Sequence, residues 1–200
     1  MRKTSQERKA QIIDLATSMF ARYGYARVTT KMLASACGIS ESALYKHFES
    51  KESIYREVLN HLREKMELSE LDRAISPESD VEKILFAVAR HLIGNFTENT
   101  ELWRLLLYSS LENHELSRQV FQTIRMPYIK ILSRKLSKMI KSGQVRKVNP
   151  EITARCFVGM VMDCNLGLNL WKNIQKQDFG IDEIINNTIP IYAQGLKEAK

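Results

Sequence analysis

The sequence is short of the residues that break regular structure or cross-link a chain. Among 200 residues there are 8 glycines, 4 prolines and 3 cysteines. So few glycines and prolines argue against collagen-like or linker-rich chains and against a turn-dense all-β fold. Cys37, Cys156 and Cys164 cannot all pair within one chain and lack the spacing of metal ligands, which favours reduced thiols in the cytoplasm. We expect Cys156 and Cys164 to be buried structural thiols, with a redox sensor formed by the two as the alternative.

Long hydrophobic runs are missing as well. No stretch approaches the roughly 20 apolar residues that a membrane span needs. The basic N-terminus, MRKTSQERKAQ, has no apolar segment behind it and so does not match a secretory signal. Because 44% of the residues are hydrophobic and 26% are charged, the composition is that of an ordinary globular protein. We expect a soluble cytoplasmic protein.

Basic residues are in excess, and the excess is uneven. The whole chain has 30 Lys and Arg against 23 Asp and Glu, a net charge of +7. Residues 1–65 have a net charge of +5, whereas the longer remainder has only +2. A basic N-terminal third indicates a polyanionic partner, and charge alone leaves both nucleic acid and a membrane surface open.

Apolar residues recur at helical spacing along the whole chain, and no segment alternates cleanly over the length of a strand. A capping box at Thr4 begins the first helix and Gly24 ends it. Further helices are predicted at about 30–37, 41–48, 50–71, 102–111, 116–142 and 149–171, with one more beginning near 76–82 and a last one near 182. Ser50 can cap the helix that follows it, and Asn149 is a cap followed by proline in the first helical position. Pro127 should kink its long helix, and Pro190 should kink or split the last one. The sequence predicts an all-α protein of about nine helices.

Residues 29–51, TTKMLASACGISESALYKHFESK, have the pattern of a helix-turn-helix. Ala34 is small where the two helices must approach, and Gly38 sits where the turn needs a positive φ. Ser40 can cap the second helix, and Leu44 is apolar where the motif must dock on its domain. The exposed face of the second helix then carries polar, aromatic and basic groups suited to a major groove.

The longer context resembles the TetR family of bacterial transcriptional regulators over roughly residues 6–60. The resemblance is carried by Phe20, Gly24-Tyr25, Thr29-Thr30, Gly38-Ile39-Ser40, Leu44-Tyr45, His47-Phe48 and Ser50-Lys51-Glu52. It implies a DNA-binding domain over residues 1–50, with the family-like region at about 6–66 reaching into the connecting helix. It also implies a larger helical ligand-binding and dimerisation domain over 51–200.

By position, the resemblance implies that Thr29 and Thr30 open the first motif helix against phosphate. It implies phosphate contacts from Tyr45 and from Lys51, and it places Glu41 on the recognition helix. The full set of candidate DNA-binding residues is Thr29, Thr30, Lys31, Ser40, Glu41, Ser42, Tyr45, Lys46, His47 and Lys51.

The chemistry of these positions agrees with the resemblance. Hydroxyls and N–H groups at a helix N-terminus bind anions, and Lys51 adds positive charge there. Lys46 can donate to guanine and Glu41 can accept from cytosine. The alternatives are that Tyr45 packs as core, that Lys46 and Lys51 are solvated, and that Glu41 serves its own helix N-terminus.

The helix at 150–172 is apolar on several faces, so it needs a second burying partner. Gly159 and Gly167 lie on roughly one side of it and permit a close helix approach. With Ile185 and Ile189 of the last helix they form the candidate interface of a homodimer, an arrangement typical of the family. An ordinary core within one chain is the alternative.

A pool of aromatic and soft side chains surrounds the central helices. Such a set is often plain core, but the family resemblance favours a cavity for an apolar or amphipathic effector. The candidate pocket residues are Phe86, Trp103, Leu106, Leu107, Ser110, Phe121, Met126, Tyr128, Met162 and Asn165.

Two other functional classes are the alternatives to a DNA-binding regulator. An enzyme is disfavoured because the carboxylate–histidine spacing of a helical metal site, a zinc cluster and a nucleotide-binding glycine pattern are all missing, so no metal or cofactor is expected. A helical adaptor on a membrane surface would use the basic N-terminal region without sequence-specific DNA binding. The sequence favours a homodimeric, ligand-responsive regulator, a repressor that binds a (pseudo)palindromic operator.

Overall fold

The structure is a computed structural model that describes residues 4–98, 100–112, 114–170 and 180–197. Every regular element in these ranges is helical, which confirms the predicted all-α fold. The elements are α1 (Ser5–Tyr23), α2 (Thr30–Ala36), α3 (Glu41–Tyr45), α4 (Lys51–Lys65), α5 (Leu68–Ile75), α6 (Val81–Glu98), α7 (Thr100–Glu112), α8 (His114–Val120), a π-helical turn (Phe121–Arg125), α9 (Met126–Lys141), α10 (Pro150–Leu170) and α11 (Ile181–Leu196). Counting α4 with α5, and α8 with α9, gives nine helices over the described ranges, as the sequence predicts.

The chain forms two compact units. The first contains residues 1–66 and 100–125, and the second contains residues 67–99 and 126–200. These units describe packing, whereas the boundary near residue 50 between a DNA-binding and a ligand-binding domain stays a prediction.

The N-terminal helices of the first unit form because each helix start has a polar cap and each helix has an apolar face. Thr4 forms the predicted capping box with Glu7, and Gly24 ends α1 with a φ of +79°. Ile12, Ala16 and Phe20 repeat at four-residue intervals on α1 and are completely buried. This buried stripe is the surface on which a helix-turn-helix can dock.

The predicted helix at 50–71 is interrupted. α4 begins after the Ser50 cap, as predicted, but it ends at Lys65. Glu67 adopts a left-handed conformation with a φ of +49°, the single non-glycine case within the described ranges. A left-handed residue cannot continue an α-helix, so the chain restarts as α5 at Leu68.

The predicted helix at 116–142 is also interrupted, just before Pro127. A proline nitrogen carries no hydrogen, so the bond that it would donate to the Thr123 carbonyl in an α-helix is missing. The structure has a π-helical turn over Phe121–Arg125 at this point. Such turns occur often at functional sites. The helix then ends as predicted before Gly143, whose φ is +74°.

α10 and α11 belong to the second unit. The Asn149 side chain accepts from the N–H groups of Glu151 and Ile152, both at 3.0 Å, which confirms the predicted cap before Pro150. Trp171, the predicted end of this helix, lies outside the described residues. α11 runs through Pro190 without a break, so the proline does not split it. Over the described residues, no helix is both long and apolar enough to cross a membrane.

Candidate functional site

The turn between α2 and α3 has the geometry that the sequence predicts. Gly38 has a φ of +65°, and no neighbouring atom fills the space beside its Cα, so the conformation rather than crowding favours glycine. The Ile39 N–H donates to the Ala34 carbonyl at 3.0 Å and closes the turn. Ala34 is only 2% exposed. A larger residue at position 34 would separate the two helices.

The recognition helix α3 is anchored by one apolar side chain and presents polar ones. Leu44 is 1% exposed, while Tyr45 is 49% exposed and therefore does not pack as core. Ser40 caps α3 by accepting from the Ala43 N–H at 3.2 Å. Among the other predicted DNA-binding residues on α3 and just after it, Glu41, Ser42 and Lys46 are exposed and His47 is half-buried.

The two motif helices are joined by a hydrogen bond between two candidate DNA-binding residues. The Thr30 hydroxyl donates to the Glu41 carboxylate. Thr29 caps α2 by accepting from the Met32 N–H at 3.2 Å, and Lys31 next to it is exposed. The Thr29 N-cap and the exposed Lys31 therefore sit together at the α2 N-terminus, whereas Glu41 ties α3 to α2.

Lys51, at the first position of α4, contacts the loop that precedes α2. Its Nζ donates to the carbonyl oxygens of Tyr25 at 3.1 Å and Val28 at 3.0 Å. The same Nζ lies 4.1 Å from the centre of the Tyr25 ring. These contacts differ from those of a solvated surface lysine.

Tyr25 is also held through its hydroxyl, which donates to Glu52 Oε1 at 2.6 Å. Burial, followed by this bond, raises the pKa of Tyr25, while the same bond lowers the pKa of Glu52. The Tyr25 ring packs against Tyr55 and Phe20 with centroid distances of 5.2 and 5.5 Å. The loop before α2 is thus bound to both α1 and α4.

The candidate pocket residues are distributed over both units. Trp103, Leu106, Leu107, Ser110 and Phe121 belong to the first, and Phe86, Met126, Tyr128, Met162 and Asn165 belong to the second. Trp103, Tyr128, Met162 and Asn165 are buried, and the others are half-buried except Ser110, which is exposed. The Ser110 hydroxyl donates to the Leu106 carbonyl at 2.7 Å. Its side chain therefore faces outward rather than into a cavity.

A polar cluster within the second unit was not found by the sequence analysis. Tyr128 OH lies 3.0 Å from His91 Nδ1 and 3.4 Å from Asn95 Nδ2. His91 also hydrogen-bonds the backbone of Glu67, and burial lowers its pKa against the raising effect of that bond and of Glu70. The signal in the sequence is a histidine and an asparagine four apart on one helix, α6.

The residues predicted for the dimer interface lie on α10 and α11. Ile185 and Ile189 are 4% and 1% exposed, so a single chain already covers them. They line a small apolar cleft between α6, α10 and α11 together with Cys164. Gly159 and Gly167 are half-exposed.

Large apolar side chains next to these positions remain uncovered. Ile152 on α10 is 60% exposed and Ile191 on α11 is 68% exposed. The residues that follow them in the chain are hydrogen-bonded to each other, since the Tyr192 hydroxyl donates to the Thr153 carbonyl at 2.9 Å. α10 and α11 therefore each leave one large apolar side chain open to solvent.

The prediction that both C-terminal thiols are buried is wrong for Cys156, which is exposed; Cys164 is half-buried. Eight residues along one helix separate them by about 12 Å. That distance is too long for a disulfide within the chain.

Comparisons with known proteins agree with this geometry. A family model described as bacterial regulatory proteins, tetR family, matches residues 12–58, and one described as the C-terminal domain of AefR-like transcriptional repressors matches residues 83–178. The nucleoid occlusion factor SlmA of Vibrio campbellii is 31% identical over 166 residues, which are 80% of this chain and 82% of SlmA.

Solved structures show the same fold. FadR of Bacillus subtilis, in complex with stearoyl-CoA, matches with a TM-score of 0.74 at 21% identity, covering 94% of this chain and 98% of FadR. AibR, in complex with isovaleryl coenzyme A and operator DNA, matches with a TM-score of 0.66 at 22% identity, covering 92% of this chain and 97% of AibR. The two family models and the relative at 31% identity establish that the chain belongs to the TetR family of bacterial transcriptional regulators.

Proposed function

We propose that this protein is a cytoplasmic, ligand-responsive repressor. It binds a (pseudo)palindromic operator as a homodimer and is released by a hydrophobic or amphipathic small molecule. The observation that carries the proposal is the helix-turn-helix with its recognition helix uncovered. Leu44 anchors this helix while Tyr45 and Lys46 are exposed, as reading of base edges in a groove requires.

The two motif helices have different tasks. The capped start of α2, with Thr29 and the exposed Lys31, can bind phosphate and set the register. Lys46 on the exposed face can donate to guanine and supply sequence preference. The Thr30–Glu41 bond keeps the two helices in one orientation.

To test this proposal, genomic fragments are selected with the full-length protein. Binding to the selected duplex is then measured. Lys46→Ala should relax preference at particular base pairs, while Lys31→Ala should weaken binding to all sequences and make the salt dependence shallower. Lys138→Ala, an exposed lysine of α9, is the control and should change neither. If the parent protein does not prefer any fragment over random duplex, the operator-binding proposal is wrong.

The exposed isoleucines of α10 and α11 support a homodimer. Exposed Ile152 and Ile191 would be covered by the same face of a second copy around a twofold axis. Half-exposed Gly159 and Gly167 permit a close approach there. Ile185 and Ile189 then support the interface from within one chain rather than contacting the partner.

Light scattering at micromolar concentration tests the dimer. The parent should be dimeric, and the double variant Ile152→Asp with Ile191→Asp should be monomeric because two uncompensated charges would be placed in an apolar contact. Leu111→Asp, at an apolar residue that is 86% exposed on α7, is the matched control and should stay dimeric. A monomeric parent would contradict the proposal.

An acyl-CoA thioester is the effector class to test first. FadR was solved with stearoyl-CoA and AibR with isovaleryl coenzyme A, and both share this fold. Such compounds are amphipathic, which suits the aromatic and soft residues of the candidate pocket. The effector must bind the DNA-incompetent state more tightly, because equal affinity for both states would not release the operator.

The test measures how much operator duplex is released by stearoyl-CoA, isovaleryl-CoA, free CoA and stearate. Comparing the four compounds separates the contribution of the acyl chain from that of the CoA head group. Leu106→Trp, at a half-buried position, should leave operator binding intact and reduce the response. Ser110→Trp, at an exposed position of the same helix, is the control and should respond normally. An unchanged response of Leu106→Trp would remove that residue from the pocket.

A second candidate is a nucleoid occlusion factor, which the 31% identity to SlmA favours. Mapping the occupied sites on the chromosome distinguishes the two. A local repressor should occupy a few operators near the genes that it controls, whereas a nucleoid occlusion factor should occupy sites spread widely over the chromosome.

A further inference from the structure

The basic excess outside the N-terminal third of the chain is concentrated in one segment. Residues 116–150 contain nine Lys and Arg and no Asp or Glu. The resulting charge of +9 exceeds the +7 of the whole chain. Residues 66–200 together have only +2, because acidic residues on both sides of the segment cancel most of its charge. A second block of positive charge therefore lies beyond the helix-turn-helix.

α9 arranges four of these basic residues in a row. Lys130, Arg134, Lys138 and Lys141 follow one another at intervals of four, four and three residues, and all four are exposed. Residues at such intervals share one face of a helix, and at about 1.5 Å per residue the row is about 16 Å long. The buried side chains of α9, Leu136 among them, lie on the opposite face and fix the direction of the row. We call the four basic residues the α9 stripe.

The charge of the α9 stripe is largely uncompensated. Arg134 donates to Asp72 Oδ1 at 2.5 Å. Among the described residues, no carboxylate lies within 4.0 Å of the ammonium groups of Lys130, Lys138 and Lys141. Like charges at four-residue spacing repel one another and destabilise their helix. An anionic partner removes this repulsion, so the α9 stripe has the character of a binding surface.

The α9 stripe lacks the apolar side chains that several kinds of anionic partner need. None of the large apolar residues that are exposed within the described ranges lies on α9. A membrane-surface helix inserts apolar side chains beside its basic ones, and a flexible acidic peptide needs further contacts to offset the entropy that it loses on binding. A nucleic-acid duplex needs neither. It is a rigid polyanion with one phosphate per about 3.4 Å of each strand, so about five phosphates of one strand match the length of the row.

We propose that the α9 stripe binds the phosphate backbone of a second duplex, separate from the duplex that the helix-turn-helix reads. Contacts to phosphate carry no sequence information, so the second duplex is bound whatever its sequence. This inference goes beyond the proposed function, because the protein then joins an operator to another segment of DNA. A protein that is already bound to a chromosome meets further duplex at high effective concentration, which makes a weak contact sufficient.

The proposal is tested on full-length protein that is saturated with a short unlabelled operator duplex. A labelled random duplex is then added, and its binding is measured by anisotropy over a range of salt concentrations. The stripe variant combines Lys130→Gln, Lys138→Gln and Lys141→Gln. Glutamine is a good helix former, and Arg134 keeps its bond to Asp72. The control variant removes the same amount of charge from exposed positions of α4 and α6, by Arg63→Gln, Lys65→Gln and Lys83→Gln.

Three lysine–phosphate contacts predict that log Kd for the second duplex rises with log salt with a slope of about 2.7. Binding should therefore weaken about fortyfold between about 50 and 200 mM salt. The stripe variant should lose nearly all of this slope and bind the second duplex about tenfold more weakly at the lower salt concentration. The control variant should behave as the parent does. Both variants should bind the short operator duplex with the affinity of the parent, which also shows that they are folded.

A parent protein that binds no second duplex would overturn the proposal, and so would an equal loss of binding in the stripe and control variants. Flotation with vesicles of phosphatidylglycerol and phosphatidylethanolamine in equal parts tests the membrane. Flotation that the stripe variant loses, without binding of a second duplex, would assign the α9 stripe to a membrane surface instead. If the parent selects no operator, the proposed function is wrong, while the difference between the two variants on random duplex still decides the role of the α9 stripe.

Discussion

The helices before residue 50 and the helices after residue 150 are held in different ways. α2 and α3 contain 7 and 5 residues, too few to be stable alone. Each begins at a hydroxyl cap, and their mutual placement depends on the Gly38 turn, the Thr30–Glu41 bond and a few buried residues, namely Leu33, Ala34 and Leu44. α10 and α11 contain 21 and 16 residues and are held by broad apolar faces. The comparison shows that a short polar motif has few redundant contacts, whereas a long apolar pair has many.

The largest expected difference concerns a buried leucine of the motif and one of α9, a long helix of the second unit that packs against α10. Leu44→Ala in α3 and Leu132→Ala in α9 remove side chains that are 1% and 0% exposed, so each should lower the free energy of unfolding by about 2–5 kcal/mol. Leu44→Ala should also abolish operator binding, because it is the single buried residue of α3. The folded fraction of Leu132→Ala should still bind the operator. Thermal unfolding with operator titration at a temperature where both variants are folded measures this, and equal operator affinity would contradict the comparison.

A smaller effect is expected from the caps. Ser40→Ala and Asn149→Ala remove the side chains that cap α3 and α10, and each should cost about 1 kcal/mol of stability. Operator affinity should fall in Ser40→Ala and stay unchanged in Asn149→Ala. The reason is that α3 has only five residues and its start depends on this one capping side chain. Chemical denaturation and anisotropy titration of the two variants measure both quantities. Loss of operator affinity in Asn149→Ala would show that the regions are coupled more tightly than this contrast implies.

The smallest effect concerns pH and the cluster of His91 with Tyr128. Burial lowers the pKa of His91 in the folded protein, despite the opposing effects of Glu67 and Glu70. The unfolded chain therefore binds the proton more readily, so stability is fully present above the ordinary histidine pKa of about 6.5 and declines as pH falls below it. His91→Gln should make the melting temperature less dependent on pH between 8 and 5. His47→Gln on the recognition segment is the control, and an equal change in both variants would refute the assignment to His91.

Several features could be predicted because they depend on residues close together in the chain. A cap and its helix start, or Gly38 and its turn, lie within a few residues of one another. Local geometry therefore selects the residue type, and the helix-turn-helix follows from the sequence. The break at Glu67 could not be predicted in this way, because the periodicity of apolar residues continues through it. At Pro127 the sequence predicts a kink, but not that the preceding turn is π-helical.

The sequence by itself determined the all-α class, the caps at Thr4 and Ser40 and the uncovered recognition helix, because these depend on local backbone preference and on which positions are polar. The tertiary structure decided what the polar side chains do. It directed the Lys51 ammonium to the loop before α2, the Thr30 hydroxyl to Glu41, and His91 to Tyr128. A lysine, a threonine and a histidine each have several possible partners, and the distance between elements far apart in the chain selects among them.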